Sequence, residues 1–228
     1  MNTALLDRVV LPGDVLGNVE PDSALKLGPG LRMEQNSVVA VKAGKLRFRK
    51  PSIYWIDSNQ RRYVPVCGEH VIGIVTAKHG DNFRVDIGSS QPATLSYLAF
   101  EGATKRNRPN VNIGDIVYSR ISVAHKDMEP ELVCMGDGGK AQLMGTLSND
   151  DSFMWKCSLG LCRKLLVGDC PVLKHLGERI SYEIAVGLNG RVWIRSRSVS
   201  NTILAVNAIL ASEHMTGDES RTMISKLF

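Results

Sequence analysis

The stretch Val71-Ile72-Gly73-Ile74-Val75-Thr76-Ala77-Lys78-His79-Gly80-Asp81-Asn82-Phe83-Arg84-Val85-Asp86-Ile87 reads as a β-hairpin. Val, Ile and Thr crowd residues 71–77, and residues 83–87 alternate Phe, Val and Ile with Arg and Asp. Between them His79-Gly80-Asp81-Asn82 supplies residues that tolerate the positive φ of a tight turn. Downstream, residues 116–123, 131–135 and 143–147 repeat the β-favouring composition. Five strands in about 80 residues match the size and strand count of an OB-fold barrel. One segment inside this region stands apart. Residues 100–112 carry Lys105-Arg106-Asn107-Arg108-Pro109, too polar and too broken by proline for a strand, and are expected to form a basic loop.

Upstream, residues 38–41, 45–48 and 52–56 read as strands separated by Ala43-Gly44 and Lys50-Pro51, with residues 62–66 as a fourth candidate. On the other side the chain changes character. After a strand over 153–156, Leu159, Cys162, Leu165 and Leu166 recur at helical spacing, with Ser158 placed as a cap and Gly168 just past the end. A short helix over 171–176 is expected to stop at Gly177. Residues 181–186 and 191–196 alternate like strands, and residues 200–214 carry a helical apolar side. The fold class is therefore mixed β and α+β: a small N-terminal β-rich domain over 1–65, a β-barrel over 66–148 and an α+β domain over 149–228.

The composition suits such a chain. Hydrophobic residues at 43% and charged residues at 22% are the balance of a folded protein with a buried core, which excludes disorder as a description of the whole. Lys and Arg number 28 against 23 Asp and Glu, a net +5, so placement of the charge matters more than its size. No apolar run is long enough to cross a bilayer. The first eleven residues mix Asp7 and Arg8 into a short apolar stretch, unlike a secretory signal. Five cysteines with no Cys-x-x-Cys spacing then read as reduced thiols of an intracellular protein. Cys67 and His70 form one thiol and imidazole pair with no second pair behind it. A buried structural role is expected there, and neither a metal nor another cofactor.

Catalytic signatures do not present themselves. There is no Gly-x-Ser-x-Gly, His-Glu-x-x-His, Gly-x-Gly-x-x-Gly or Walker-type loop. Gly136-Asp137-Gly138-Gly139-Lys140 reads as a hairpin turn, and His125-Lys126-Asp127 and Asp150-Asp151 as solvated charges. A stand-alone nuclease would need an acidic or histidine cluster that the sequence does not display. The chain reads as nonenzymatic.

Binding is better represented. Lys105, Arg106 and Arg108 lie within four positions, with no acid nearer in sequence than Glu101 and Asp115. Such a loop attracts phosphates without reading bases, although an ordinary solvated loop explains the cluster equally well. Phe83 and Tyr97, with Phe100, are candidate stacking platforms for single-stranded bases, in competition with the core. Gly187-Leu188-Asn189-Gly190 matches the Gly-x-x-Gly clamp of KH domains. That clamp ordinarily joins two helices, whereas here the motif lies between two strand-like runs and Asn189-Gly190 is a favoured hairpin pair; a structural turn is placed ahead of an RNA clamp. Arg191, Arg195 and Arg197 add a further basic stretch.

Taken together, Leu95-Ser96-Tyr97-Leu98-Ala99-Phe100, Lys105-Arg106-Asn107-Arg108-Pro109, Ile113-Gly114-Asp115-Ile116-Val117-Tyr118 and Gly187-Leu188-Asn189-Gly190-Arg191-Val192-Trp193 resemble the S1/KH cap subunits of the RNA exosome, the exosome component three family. Pro12-Gly13-Asp14 and Lys26-Leu27-Gly28-Pro29-Gly30 fit the same pattern, so the resemblance runs the length of the chain. It implies an N-terminal domain, an S1 domain of OB-fold type and a KH-like domain, in that order. It also implies a noncatalytic role: a cap on a ring of RNase PH-like subunits beside other S1-containing cap subunits, guiding single-stranded RNA toward an associated 3′-to-5′ exoribonuclease for rRNA processing and RNA turnover, in the nucleus and nucleolus and also the cytoplasm. By the resemblance Lys105, Arg106 and Arg108 face the RNA path. Gly13 and Asp14 shape a turn toward the ring, and Asp115, Trp193 and the Gly187 to Gly190 turn are structural or interface residues. A purely architectural subunit without direct RNA contact is the alternative.

Overall fold

The computed structural model describes residues 6–18, 25–125, 127–136, 138–148, 150–168 and 170–227. Lys126 and Asp137 lie outside them. The chain forms two compact units, residues 1–60 and 61–228.

The first unit is built from short strands. β1 (Val9–Val10), β6 (Gly44–Arg49), β7 (Ile53–Asp57) and β3 (Lys26–Leu27) make one sheet in that order, and β2 (Val15–Asn18), β5 (Ser37–Ala40) and β4 (Leu31–Glu34) make a second. Val10, Leu16, Val38, Ala40, Leu46 and Ile56 are buried as its core. The expected strands over 38–41, 45–48 and 52–56 are β5, β6 and β7. Entry to β2 is set by Leu11-Pro12-Gly13-Asp14: Asp14 Oδ2 accepts from Leu11 N (2.8 Å), Gly13 adopts φ +97°, and Gly13 N and Asp14 O both bond to Ala40.

The second unit opens on residues 61–69, where a strand was expected over 62–66. None forms, because Pro65 offers no ladder donor and Val64 and Val66 face solvent, while Tyr63 turns inward to the barrel core. The barrel follows with β8 (His70–His79), β9 (Asn82–Asp86), β10 (Ala93–Phe100), β11 (Ile116–Val123) and β12 (Glu131–Cys134). Neighbours run β12-β10-β9-β8-β11 and β11 pairs back to β12, which closes the barrel; β10 and β12 are parallel and the other pairs antiparallel. This is the OB-fold order. The five strands are not the five expected from sequence. β10, whose apolar positions are interrupted by Thr94 and Ser96, completes the barrel, and β13 (Gly145–Leu147) is an appendage on β11. Val71, Val75, Val85, Ile87, Leu95, Val117, Ile121 and Leu132 fill the interior, each stabilising the fold by about 1.5–3 kcal/mol.

The last region pairs β14 (Ser152–Lys156) and β15 (Tyr182–Gly187) on either side of β16 (Arg191–Ser196) and packs helices α1 (Leu159–Leu165), α2 (Pro171–Arg179), α3 (Val199–Ala211) and α4 (Gly217–Leu227) against the sheet and each other. Ser158 caps α1 by accepting from Leu161 N (3.0 Å). One boundary differs from expectation, and one helix was not expected. Gly177 does not stop α2, since Leu176 and Ile180 hold the next turn in the core; α4, short and mostly polar, is anchored by buried Ile224 and Ser220.

Candidate nucleic-acid interface

The basic loop connects β10 to β11 and is held by its own backbone. Thr104 and Asn107 clasp each other, Thr104 N to Asn107 O and Asn107 N to Thr104 Oγ1, both at 3.0 Å. Lys105 and Arg106 sit between the two halves of the clasp, exposed, and neither has an ion-pair partner among the described residues. The far end of the loop repeats the device seen before β2. Asp115 Oδ2 accepts from Asn112 N (2.7 Å), Gly114 adopts φ +95°, and Gly114 N and Asp115 O both bond to Val75. Gly13-Asp14 and Gly114-Asp115 are thus one turn used twice, each tying a strand entry to a neighbouring strand.

Arg108 behaves differently from its neighbours. Its guanidinium lies 4.8 Å from the centroid of the Tyr97 ring, and its Nη2 is 3.3 Å from Asp81 Oδ1 on the β8–β9 turn. Sequence distance concealed that acid, so among the described residues the loop offers two unpaired cations and one that is shared. Lys78 lies over the Phe83 ring at 5.9 Å and donates to Asn112 Oδ1 at 3.4 Å, fixing the loop to β8; Lys78 belongs to this surface and sequence inspection missed it.

Phe83 and Tyr97 are core residues, 9% and 5% exposed, and Phe83 meets Phe100 edge to face within the barrel cluster. With Lys78 and Arg108 over their rings, they present no open face, which corrects their assignment as stacking platforms.

The Gly187 to Gly190 segment is a tight hairpin between β15 and β16, closed by Gly190 N to Gly187 O (3.2 Å), with Gly190 at φ +77°. It is aimed at the barrel. Leu188 N donates to His70 O (2.9 Å); Asn189 Nδ2 donates to Ile72 O and Ile87 O (2.8 Å each), and Asn189 Oδ1 accepts from Ile72 N (3.2 Å). A Cβ on Gly187 would lie 2.3 Å from Asn189 Oδ1 and 2.8 Å from Ile72 N, so only glycine admits this approach. Next to the turn, Arg191 is 2% exposed and donates to Asp86 O and Asp86 Oδ2, both at 2.6 Å. Burial alone would raise the Asp86 carboxyl; hydrogen bonds from Arg191 and Gly88 N and the charges of Arg191 and Lys156 outweigh it and hold the carboxyl below its usual range. Arg195 stands opposite Glu183 in the β15–β16 register and donates to Ser148 Oγ (3.1 Å). The expected basic stretch 191–197 is therefore partly spent within the fold. Trp193, 4% exposed, donates its indole N–H to Ser148 O (3.3 Å) in the segment leaving the barrel. Cys67 is exposed rather than buried, its thiol donating to Ser122 O (3.0 Å), and His70 stacks on Tyr118.

Comparison with known families places each part. Residues 25–62 match the model described as the exosome complex exonuclease Rrp40 N-terminal domain, residues 63–145 the S1 domain of exosome complex component RRP40, and residues 153–200 a KH domain. The bovine (Bos taurus) exosome complex component RRP40 is 46% identical over 98% of this chain and 91% of its own length. The chain belongs to the RRP40 family. Its Drosophila melanogaster relative is 48% identical over 90% of the chain and 89% of that protein, and the Saccharomyces cerevisiae relative 33% identical over 90% and 88%. A solved structure described as an exosome complex RNA-binding protein superposes with a TM-score of 0.59 at 22% identity, covering 73% of this chain and 97% of its own, a likeness of fold. The barrel described above is the S1 domain, and the α+β region carries the KH domain.

Proposed function

We propose that this chain is a noncatalytic cap subunit of an RNA exosome that guides single-stranded RNA by charge, through the S1 loop tip at Lys105 and Arg106. The observation that carries the reading is that these two cations stand exposed and, among the described residues, without an ion-pair partner on a loop clasped to an OB barrel, while the Gly187 to Gly190 turn spends its hydrogen bonds inside the fold. Family membership supports a place in an exosome; the rest of the proposal is assembly with RNase PH-like ring subunits and other S1-containing caps, and a path that delivers RNA to an associated 3′-to-5′ exoribonuclease in rRNA processing and turnover, in nucleus, nucleolus and cytoplasm. A degrader of mixed sequences needs attraction to the backbone and indifference to bases, which suits a site of cations without stacking rings.

The test is charge reversal. Lys105→Glu with Arg106→Glu in the reconstituted complex should weaken binding of a single-stranded RNA at moderate salt and leave assembly intact. Unchanged RNA binding removes the loop from the RNA path.

A further inference from the structure

The contact between Cys157 and Cys162 follows from how α1 begins. With Ser158 as the capping residue, Cys157 is the residue just before the cap and Cys162 the fourth of the helix, the two positions that pack together as a hydrophobic staple. Here both staple residues are thiols, and their Sγ atoms lie 3.3 Å apart. Cys162 is fully buried; Cys157 is half-buried and opens on a cavity also lined by Lys156, Arg61 and Arg62. An accessible sulfur among cations, backed by a buried one at contact distance, is the arrangement of an attacking thiol with its resolving partner.

We infer that Cys157 is a modification site for hydroperoxides, which Cys162 resolves to an intramolecular disulfide. In the first step Cys157 Sγ attacks one peroxide oxygen: an S–O bond forms, the O–O bond breaks, and the leaving alkoxide or hydroxide takes the thiol proton, leaving a sulfenic acid. In the second step Cys162 Sγ attacks Cys157 Sγ. The S–S bond forms, the S–O bond breaks, and hydroxide departs with the Cys162 proton as water. Two thiols lose two electrons and one peroxide is reduced. Disulfide sulfurs sit about 2.05 Å apart, so the pair closes by about 1 Å, within reach of side-chain rotation in the staple. The hydrogen bond shared with Cys162 draws the Cys157 thiol below its usual range, against burial and the nearby Glu213 carboxylate, while the same contact and burial push the Cys162 thiol up, so Cys157 is the sulfur that reacts first. Buried Cys134, by contrast, is pushed up to about 12. Exposed Cys67, whose thiol meets the carbonyl of Ser122 and no second sulfur among the described residues, serves as the internal control.

Cleavage after Lys156 and Arg163 isolates both sulfurs in one peptide, residues 157–163. The full chain is treated with a small molar excess of hydrogen peroxide, quenched in acid, denatured, alkylated and mapped by mass spectrometry. The expected peptide is lighter by two hydrogen atoms, has lost both alkylation sites, and regains them after dithiothreitol. In Cys162→Ser the reaction stops at Cys157, where dimedone traps the sulfenic acid. The inference is overturned if, at a dose that oxidises Cys67, the peptide still takes two alkyl groups. It is equally overturned if Cys157 is oxidised only irreversibly or pairs with a different cysteine.

Discussion

Asn189 uses its whole amide on the barrel: two donors to the carbonyls of Ile72 and Ile87 and one acceptor from Ile72 N. Asn189→Ala strands buried backbone groups and should cost about 3 kcal/mol, since each unsatisfied group costs about 1–3 kcal/mol. Asn189→Asp should cost more, because it turns donors into acceptors that face carbonyls. Denaturant unfolding of the full chain checks both. Asp86 adds a pH dependence of known sign. Its folded pKa is depressed, so the stabilisation is present above the ordinary carboxylate value of about 3.9 and is lost as pH falls through the lower folded value. Asp86→Asn should therefore flatten the acid limb of the stability curve, as measured by unfolding between neutral and acidic pH; an unchanged acid limb would remove the Asp86–Arg191 pair from the account. Neither partner was legible in sequence as a contact. Arg191 read as surface charge, because nothing in the local pattern of a strand reveals that a second domain covers it.

At the scale of elements, hairpins, caps and turns were legible because their chemistry is local. Gly80, Ser158 and the Asn189-Gly190 pair act within a few residues of themselves, and the structure places each in the turn or cap its type favours. β10 was missed because its register is set by β9 and β12, which is tertiary information. The same applies to Phe83 and Tyr97: an aromatic residue on a strand carries no mark of which face of the barrel it occupies. Their burial makes a prediction that separates core from platform. Phe83→Leu should destabilise the S1 barrel by about 1 kcal/mol and leave RNA affinity of the folded protein unchanged. A stacking role would instead weaken binding by about 1–3 kcal/mol, readable in a titration with labelled RNA.

Across the whole molecule, the order of β, barrel and α+β regions was visible in the rhythm of turns and in the change to helical spacing after residue 157. The division of labour between them was not, because it depends on which polar groups are consumed at the contact between barrel and KH region. That contact takes Asn189 and Arg191 out of circulation and leaves Lys105 and Arg106 facing solvent, so the proposed RNA surface is one marked by charge rather than motif. If the interaction is with phosphates, Lys105→Ala with Arg106→Ala should lower the slope of log binding constant against log salt by about 1.4, at about 0.7 per lost contact to a single strand. The most direct measurement is mapping of RNA crosslinks on this chain within the assembled complex. The account predicts crosslinked peptides from residues 101–115 and none from 187–190; crosslinks on the Gly187 to Gly190 turn, or none on the chain at all, would contradict it.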